Sequence, residues 1–267
     1  MGKYSISDHA FVICAYKESQ YLEECIHSLL NQELKSRILL VTSTPNDFIE
    51  RMTVKYHLEY HVNYGESGIA QDWNFGLKMA SAKLVTIAHQ DDIYEPSYVR
   101  NILASVNEHR KPLIAFSDYG ELREGKKVTK NRLLAVKRIL LYMLKAKCLQ
   151  ENRFIRKRIL SMGSAICCPS VTMALDNIEG DVFTAHFRSN VDWQAWARIA
   201  DQKGAFVYCD DILMYHRIHN ESETSRIISD NNRSAEDFEM FRMFWPAWIA
   251  RLLCTLYKKG EGSNHIE

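Results

Sequence analysis

Short apolar runs alternate along the chain with segments whose apolar residues recur every three or four positions. Ala10-Phe11-Val12-Ile13-Cys14-Ala15 is a continuous apolar run, the pattern of a strand buried on both faces. From Glu18 to Gln32, Leu22, Cys25, Ile26, Leu29 and Leu30 fall on one helix face. Arg37 to Val41 predicts a second strand, stopped by Thr42-Ser43-Thr44-Pro45. Phe48 to Tyr56 predicts a helix and Leu58 to Val62 a weaker third strand. After the Gly65-Glu66-Ser67-Gly68 turn, Ala70, Trp73, Leu77 and Ala80 share one side of a helix over 69–80. Lys83 to Ala88 predicts a fourth strand that ends at His89-Gln90-Asp91-Asp92.

Strand and helix in alternation argue for a mostly parallel sheet with helices on both faces, an α/β fold. Ligands of such sheets bind beyond the carboxyl ends of the strands. Three polar clusters occupy those ends: Tyr16-Lys17-Glu18, Thr42-Ser43-Thr44 and His89 to Asp92. They are expected to converge on one crevice.

The 267 residues, 46% hydrophobic and 25% charged, suffice for one large domain or two small ones. Seven cysteines without any C-x-x-C fit reduced thiols rather than a disulfide framework. Met1 to Asp8 lacks the apolar core of a signal peptide, and no stretch approaches the ~18 apolar residues of a membrane span. These features predict a cytoplasmic protein.

The net charge of +1 conceals a basic stretch. From Arg123 to Arg158 there are 13 Lys or Arg against Glu124 and Glu151, or 13 − 2 = +11. Such a run is either a solvated helical surface or, given its interleaved Leu, Ile and Tyr, a site for an anionic membrane. The tail, with Phe238, Phe241, Phe244, Trp245, Trp248, Ile249, Leu252 and Leu253 before Tyr257-Lys258-Lys259, poses the same choice between packing and a headgroup belt. The second choice makes the protein peripheral on the inner face of the cytoplasmic membrane. Nucleic acid is not expected, since no binding motif accompanies the charge.

Two carboxylates after a buried strand repel each other unless a cation compensates, and Mg2+ or Mn2+ takes such hard oxygen ligands alongside phosphate. Asp91-Asp92 equally fits a solvated turn before the helix that Glu95-Pro96 would open. Met214-Tyr215-His216-Arg217-Ile218-His219-Asn220-Glu221-Ser222 adds imidazoles for a metal and a guanidinium for a diphosphate. Asp192, in Asn190-Val191-Asp192-Trp193, is either a reactive carboxylate or a helix cap.

In order and spacing these motifs resemble the metal-dependent, inverting family 2 glycosyltransferases of the GT-A fold. Cys14 to Gln32 is similar to the family's opening Y-N-x-E-x-x-L-x-x-x-L-x-S-L-x-x-Q, and Gly68 to Leu77 to its G-x-x-x-x-x-N-x-G. His89-Gln90-Asp91-Asp92 falls on its D-x-D-D, Asp192 on the second acid of its E-D pair, and Arg217-Ile218-His219 on its R-x-H. The resemblance implies a Rossmann-like, mostly parallel GT-A sheet over residues 1–225. Its nucleotide half would be 8–110, its acceptor half 111–225 with a basic helical insert at 123–160, and a helical tail would follow at 226–267.

The resemblance also implies roles. Ala15, Tyr16, Glu18, Ser43, Asn74, Gln90, Asp91, Asp92 and Arg217 would bind a nucleotide-diphosphate sugar. Asp91 and His219 would hold the divalent cation, Mn2+ or Mg2+. Asp192 would be the general base, and Ser164, Ser170 and Trp193 would meet a saccharide or lipid-linked acceptor, as in cell-surface polysaccharide synthesis. On their own, Ser164 and Ser170 read equally well as a buried strand with a Pro stop.

Three positions depart from the family pattern. Thr42-Ser43-Thr44-Pro45 replaces Asp-Asp-Gly-Ser, so UDP is favoured only weakly; His89 replaces the first Asp of D-x-D, and Val191 the first acid of E-D. The alternatives are a sugar-phosphate nucleotidyltransferase, against which the glycine-free loop at Tyr16-Lys17-Glu18-Ser19 speaks, and an inactive nucleotide-sugar-binding protein.

Overall fold

A computed structural model describes residues 3–219 and 232–261. Asn220, Glu221 and Ser222 of the imidazole-rich motif lie outside the described residues, as does the predicted boundary at 225/226.

The apolar runs form the predicted strands, β1 (His9–Ala15), β2 (Arg37–Thr42), β3 (Glu59–Val62) and β4 (Leu84–His89). Between them run α1 (Leu22–Leu30), α2 (Asp47–Tyr56) and α3 (Ile69–Ala80). Local chemistry sets the ends. Asn46 caps α2 by accepting the Ile49 N–H at 2.9 Å, and His57 closes that helix in the left-handed region at φ 51°.

The chain then forms β5 (Ile93–Tyr94), α4 (Tyr98–Val106), β6 (Pro112–Arg123), β7 (Lys126–Val128), α5 (Arg132–Leu141), α6 (Arg153–Leu160) and β8 (Val171–Ala174). α7 (Val191–Ile199), β9 (Ala205–Ile218), α8 (Asn232–Arg242) and α9 (Ala247–Glu261) complete the described part. One sheet joins the strands in the order β3-β2-β1-β4-β8-β6-β9-β5, with β7 paired to β6. β1, β2, β3 and β4 are mutually parallel, as are β6 and β9; β8 runs antiparallel between β4 and β6.

Each face carries its own core. α1 and α4 bury Leu22, Ile26, Tyr98 and Ile102 with Phe11 and Ile13, while α3 and α7 bury Ala70, Leu77, Trp193 and Trp196 on the face of Val12 and Val41. Gly76 lets α3 lie close to β1, because a Cβ there would come within 2.6 Å of Val12 Cγ1. A polar chain also crosses the sheet interior. His9 Nε2 meets Thr86 Oγ1 at 3.0 Å, Thr86 meets Thr172 at 2.6 Å, and the Tyr98 hydroxyl meets Thr172 at 3.1 Å.

The tail packs on the domain through Met240, Phe241, Ala250 and Leu253, all buried. Its other face remains open, with Trp248 70% and Leu252 and Leu256 each 56% exposed. In the basic stretch, Lys145 pairs with Asp210, and Arg153 and Lys157 with Asp201. Arg156 is enclosed instead, donating to the carbonyls of Gly204 and Gln202. The seven cysteines are free thiols. Among the described residues no helix is long and apolar enough to cross a membrane.

Candidate active site

The three polar clusters do meet at the carboxyl ends of β1, β2 and β4. Gln90 clasps the backbone of Tyr16, accepting its N–H at 3.1 Å and donating to its carbonyl at 3.0 Å. Lys17 follows in the left-handed region at φ 56° and donates its N–H to Thr44 Oγ1 at 2.6 Å. Ala15 is buried beneath this loop, while Tyr16 and Glu18 face solvent.

At the tips of β2 and β3, Ser43 Oγ donates to Asp72 Oδ2 at 2.6 Å and Asn63 Nδ2 to Asp72 Oδ1 at 2.7 Å. An acid from the first turn of α3 therefore stands beside Ser43, where the strand itself carries none.

After β4, the two adjacent aspartates take different environments. Asp92 is fully buried; it accepts the Arg217 N–H at 2.8 Å and faces His216 Nδ1 at 3.0 and 3.2 Å. Burial alone would lower the His216 pKa, but the Asp92 carboxylate and then Asp91 raise it to about 9, so this imidazole is protonated at neutral pH. Asp92 thus ties the β4 tip to β9. Asp91 instead meets His219 Nε2 through Oδ2 at 2.9 Å. Burial pushes its carboxyl up, but the His219 hydrogen bond and the imidazoles of His216 and His89 outweigh this and hold it below the usual carboxylate range.

Arg217 braces the same loop. Its Nε donates to the Asp91 carbonyl at 2.8 Å, its Nη2 to Glu24, and its guanidinium lies 4.2 Å from the Tyr21 ring centroid.

The ligand atoms of His89, Asp91 and Asp92 lie within 4.8 Å of one another. His89 Nε2 is buried with no hydrogen-bond partner, and its ring stacks on Trp73 at 5.5 Å. His89 Nδ1 lies 3.9 Å from Asp92 Oδ2, and this imidazole with the two carboxylates is a nitrogen–oxygen donor set that fits a divalent cation.

Asp192 lies in the first turn of α7 and accepts the Trp193 N–H at 2.7 Å. Its charge and that of Asp92 both act on the thiols of Cys167 and Cys168, so the two acids lie near the same pair of residues. Burial first, and these acids after it, push both thiols well up, which leaves them protonated and inert.

Three further expected ligand contacts, like Asp92 and Arg217, are engaged in holding the fold together. Trp193 is fully buried and donates Nε1–H to the Leu160 carbonyl at 2.9 Å, so it belongs to the core rather than to an acceptor pocket. Ser170 is likewise enclosed, its hydroxyl given to the Cys167 carbonyl at 2.7 Å. Asn74 exchanges two hydrogen bonds with the Phe183 backbone, at 2.8 and 3.2 Å, and pins that loop. Ser164 is half-buried beside Gly163. Sequence reasoning missed Asp72, Asn63, Tyr21 and Glu24. Only Asp72 left a signal, as an acid inside the Gly68 to Gly76 motif.

The curled, mostly parallel sheet flanked by helices is the architecture of the GT-A glycosyltransferases. The chain matches glycosyl transferase family 2 over residues 10–175, well over half its length, and belongs to that family. Among solved structures it is similar to residues 1–349 of S. aureus TarS crystallised with UDP-GlcNAc, at 16% identity and a TM-score of 0.62, covering 92% of this chain and 70% of that one. The same protein crystallised with UDP matches at 17% identity and a TM-score of 0.58, covering 89% and 70%. A further crystal structure of S. aureus TarS matches at 14% identity and a TM-score of 0.56, covering 92% of this chain and 42% of that one. No curated protein matches the chain.

Proposed function

We propose that this glycosyltransferase moves a sugar from a nucleoside diphosphate sugar to an acceptor hydroxyl, inverting the anomeric carbon, in the synthesis of a cell-surface saccharide. The observation that carries the proposal is the Asp91–His219 pair at the β4 tip, with Asp192 near the same Cys167-Cys168 segment as Asp92.

The sheet itself orients the nucleotide. Neighbouring strands are about 4.8 Å apart, so the β2 tip stands roughly 10 Å from the β4 tip, about the reach from a nucleobase to its second phosphate. The Ser43–Asn63–Asp72 cluster then suits the base, and Asp91 the diphosphate. UDP is the first nucleotide to test, because TarS was crystallised with UDP-GlcNAc and with UDP.

Asp192 takes the proton from the acceptor hydroxyl as its oxygen attacks the anomeric carbon and the bond to the diphosphate breaks. A single displacement of this kind inverts the centre. A divalent cation held by Asp91, His219 and His89 would neutralise charge on the departing diphosphate. Arg217 keeps the Asp91 loop in place, and Asp92 locks that loop to β9 through His216. Because these groups are held before substrate arrives, little reorganisation is needed during reaction.

Release of nucleoside diphosphate from a panel of nucleotide sugars, assayed with Mn2+ and with chelator, tests the reading. Pyrophosphate release would assign nucleotidyl transfer instead, and absence of turnover would assign a binding protein.

The open face of α9 supports a second element of the proposal. Trp248, Leu252 and Leu256 recur every fourth residue, with exposed Arg251 among them. Phe154 and Arg158 extend the same chemistry on α6, where Arg158 lies 4.6 Å from the Trp245 ring centroid. Such a surface suits the headgroup region of an anionic membrane and a lipid-linked acceptor.

A further inference from the structure

Lys137 is a cation of the basic stretch that lies near the candidate site. The residue after it, Arg138, clamps α5 to β6, donating to Asp118 Oδ2 at 2.5 Å, the Thr129 carbonyl at 2.6 Å and the Tyr119 carbonyl at 3.2 Å. This anchor brings the Lys137 ammonium to 5.2 Å from the Tyr119 ring centroid. There it is half-buried, and its charge acts on Cys167 and His216.

Four of the surrounding carboxylates are already matched to other cations. Asp118 holds Arg138, Glu121 holds Arg123 at 2.7 Å, Asp92 holds His216 at 3.0 Å, and Asp91 holds His219 at 2.9 Å. Among the described residues, Lys137 has no carboxylate within ion-pair reach. Its near neighbours carry no charge at neutral pH, since burial pushes the Tyr119 hydroxyl up to about 12 and the Cys167 thiol higher still. A half-buried ammonium that donates to the Tyr119 hydroxyl but meets no carboxylate keeps its charge without a counter-ion, which suits an anionic ligand.

We propose that Lys137 is a substrate-binding residue whose ammonium takes a phosphate oxygen beside Tyr119 and His216. This inference rests on the glycosyl-transfer reading. The phosphate has two sources, the diphosphate of the donor or a phosphate carried by the acceptor. Either would explain why one helix of the basic stretch is anchored so firmly over the site.

The test titrates the full chain with UDP in the presence of Mn2+, and then the UDP-saturated protein with glycerol phosphate, by calorimetry. Lys137→Gln is compared with wild type, with Lys137→Arg, and with Lys126→Gln as an exposed control from the same stretch. Loss of a charge-assisted contact is expected to weaken binding about tenfold or more in one arm. Weaker UDP binding assigns Lys137 to the donor. Unchanged UDP binding with loss of the glycerol phosphate signal assigns it to the acceptor. In either case Lys137→Arg retains most of the affinity, and Lys126→Gln behaves as wild type. Both arms unchanged in a Lys137→Gln protein of wild-type melting temperature would overturn the inference. A wild-type chain that binds no UDP would sink the transferase reading first, and this inference with it.

Discussion

Asp192 and Trp193 are neighbours in sequence, yet their side chains leave α7 in different directions. A helix turns about 100° per residue, so Asp192 stays half-buried while its successor Trp193 enters the core. The consequences of substitution should separate accordingly. Asp192→Asn is expected to leave UDP affinity within about twofold while lowering kcat by two or more orders of magnitude, as measured by calorimetry and initial rates. Wild-type turnover in that variant would remove the base assignment. Trp193→Ala is expected to cost about 3–5 kcal/mol in chemical denaturation, the usual penalty for emptying so large a buried volume. Asp91→Ala should abolish the Mn2+ dependence of nucleotide binding, whereas loss of Asp92 should also loosen β9, because Asp92 accepts the Arg217 N–H. Indistinguishable behaviour of the two aspartate variants would argue against separate roles.

Among the elements, β1, β4 and β8 are joined by the buried chain from His9 through Thr86 to Thr172. Burial depresses the His9 pKa to about 3 from its ordinary 6.5. A group with a lowered folded pKa contributes stability that is intact above the unfolded value and is lost as pH falls. Between about pH 6.5 and 3 the unfolded chain binds a proton that the native state refuses, so stability should decline across that window. His9→Gln is expected to flatten the pH dependence of the melting temperature there, and an unchanged slope would show that His9 is not its source.

The same scale shows what a sequence can and cannot reveal. β1, β2, α3 and β4 were legible because each follows one period and buries its apolar positions. β6 and β9 were not, since Asp118, Glu121, Asp210 and Asp211 interrupt their apolar runs. Those acids are accommodated by partners remote in sequence, such as Arg138 for Asp118. In the site, His89-Gln90-Asp91-Asp92 was legible as a strand terminus, but Asp72 reaches Ser43 only through the packing of α3 against β2. In the sequence Lys137 is one charge among many; only the packing of α5 on β6 sets it beside Tyr119.

At the scale of the whole molecule, nucleotide binding at the mouth of the parallel strands should raise overall stability by mass action. With Mn2+ present, UDP at a hundred times its Kd is expected to add roughly 2.7 kcal/mol, read as a rise in melting temperature. Chelator should remove most of that rise. For the α9 surface, co-sedimentation with phosphatidylserine vesicles at low salt should fall several-fold when Trp248 and Leu252 are both changed to Ser. Equal recovery of the two proteins with vesicles would rule out this face as the docking surface.

The link from Asp92 to His216 and to the Arg217 amide spans more than 120 residues of chain. During synthesis at roughly 5–20 residues per second, the β4 loop therefore waits on the order of ten seconds for β9 to emerge. Closing so long a loop is entropically slow, which makes assembly of this centre a late event in folding. Nascent chains halted before Ala205 should accordingly display a protease-sensitive segment around His89 to Asp92, and that segment should become resistant once β9 has been added.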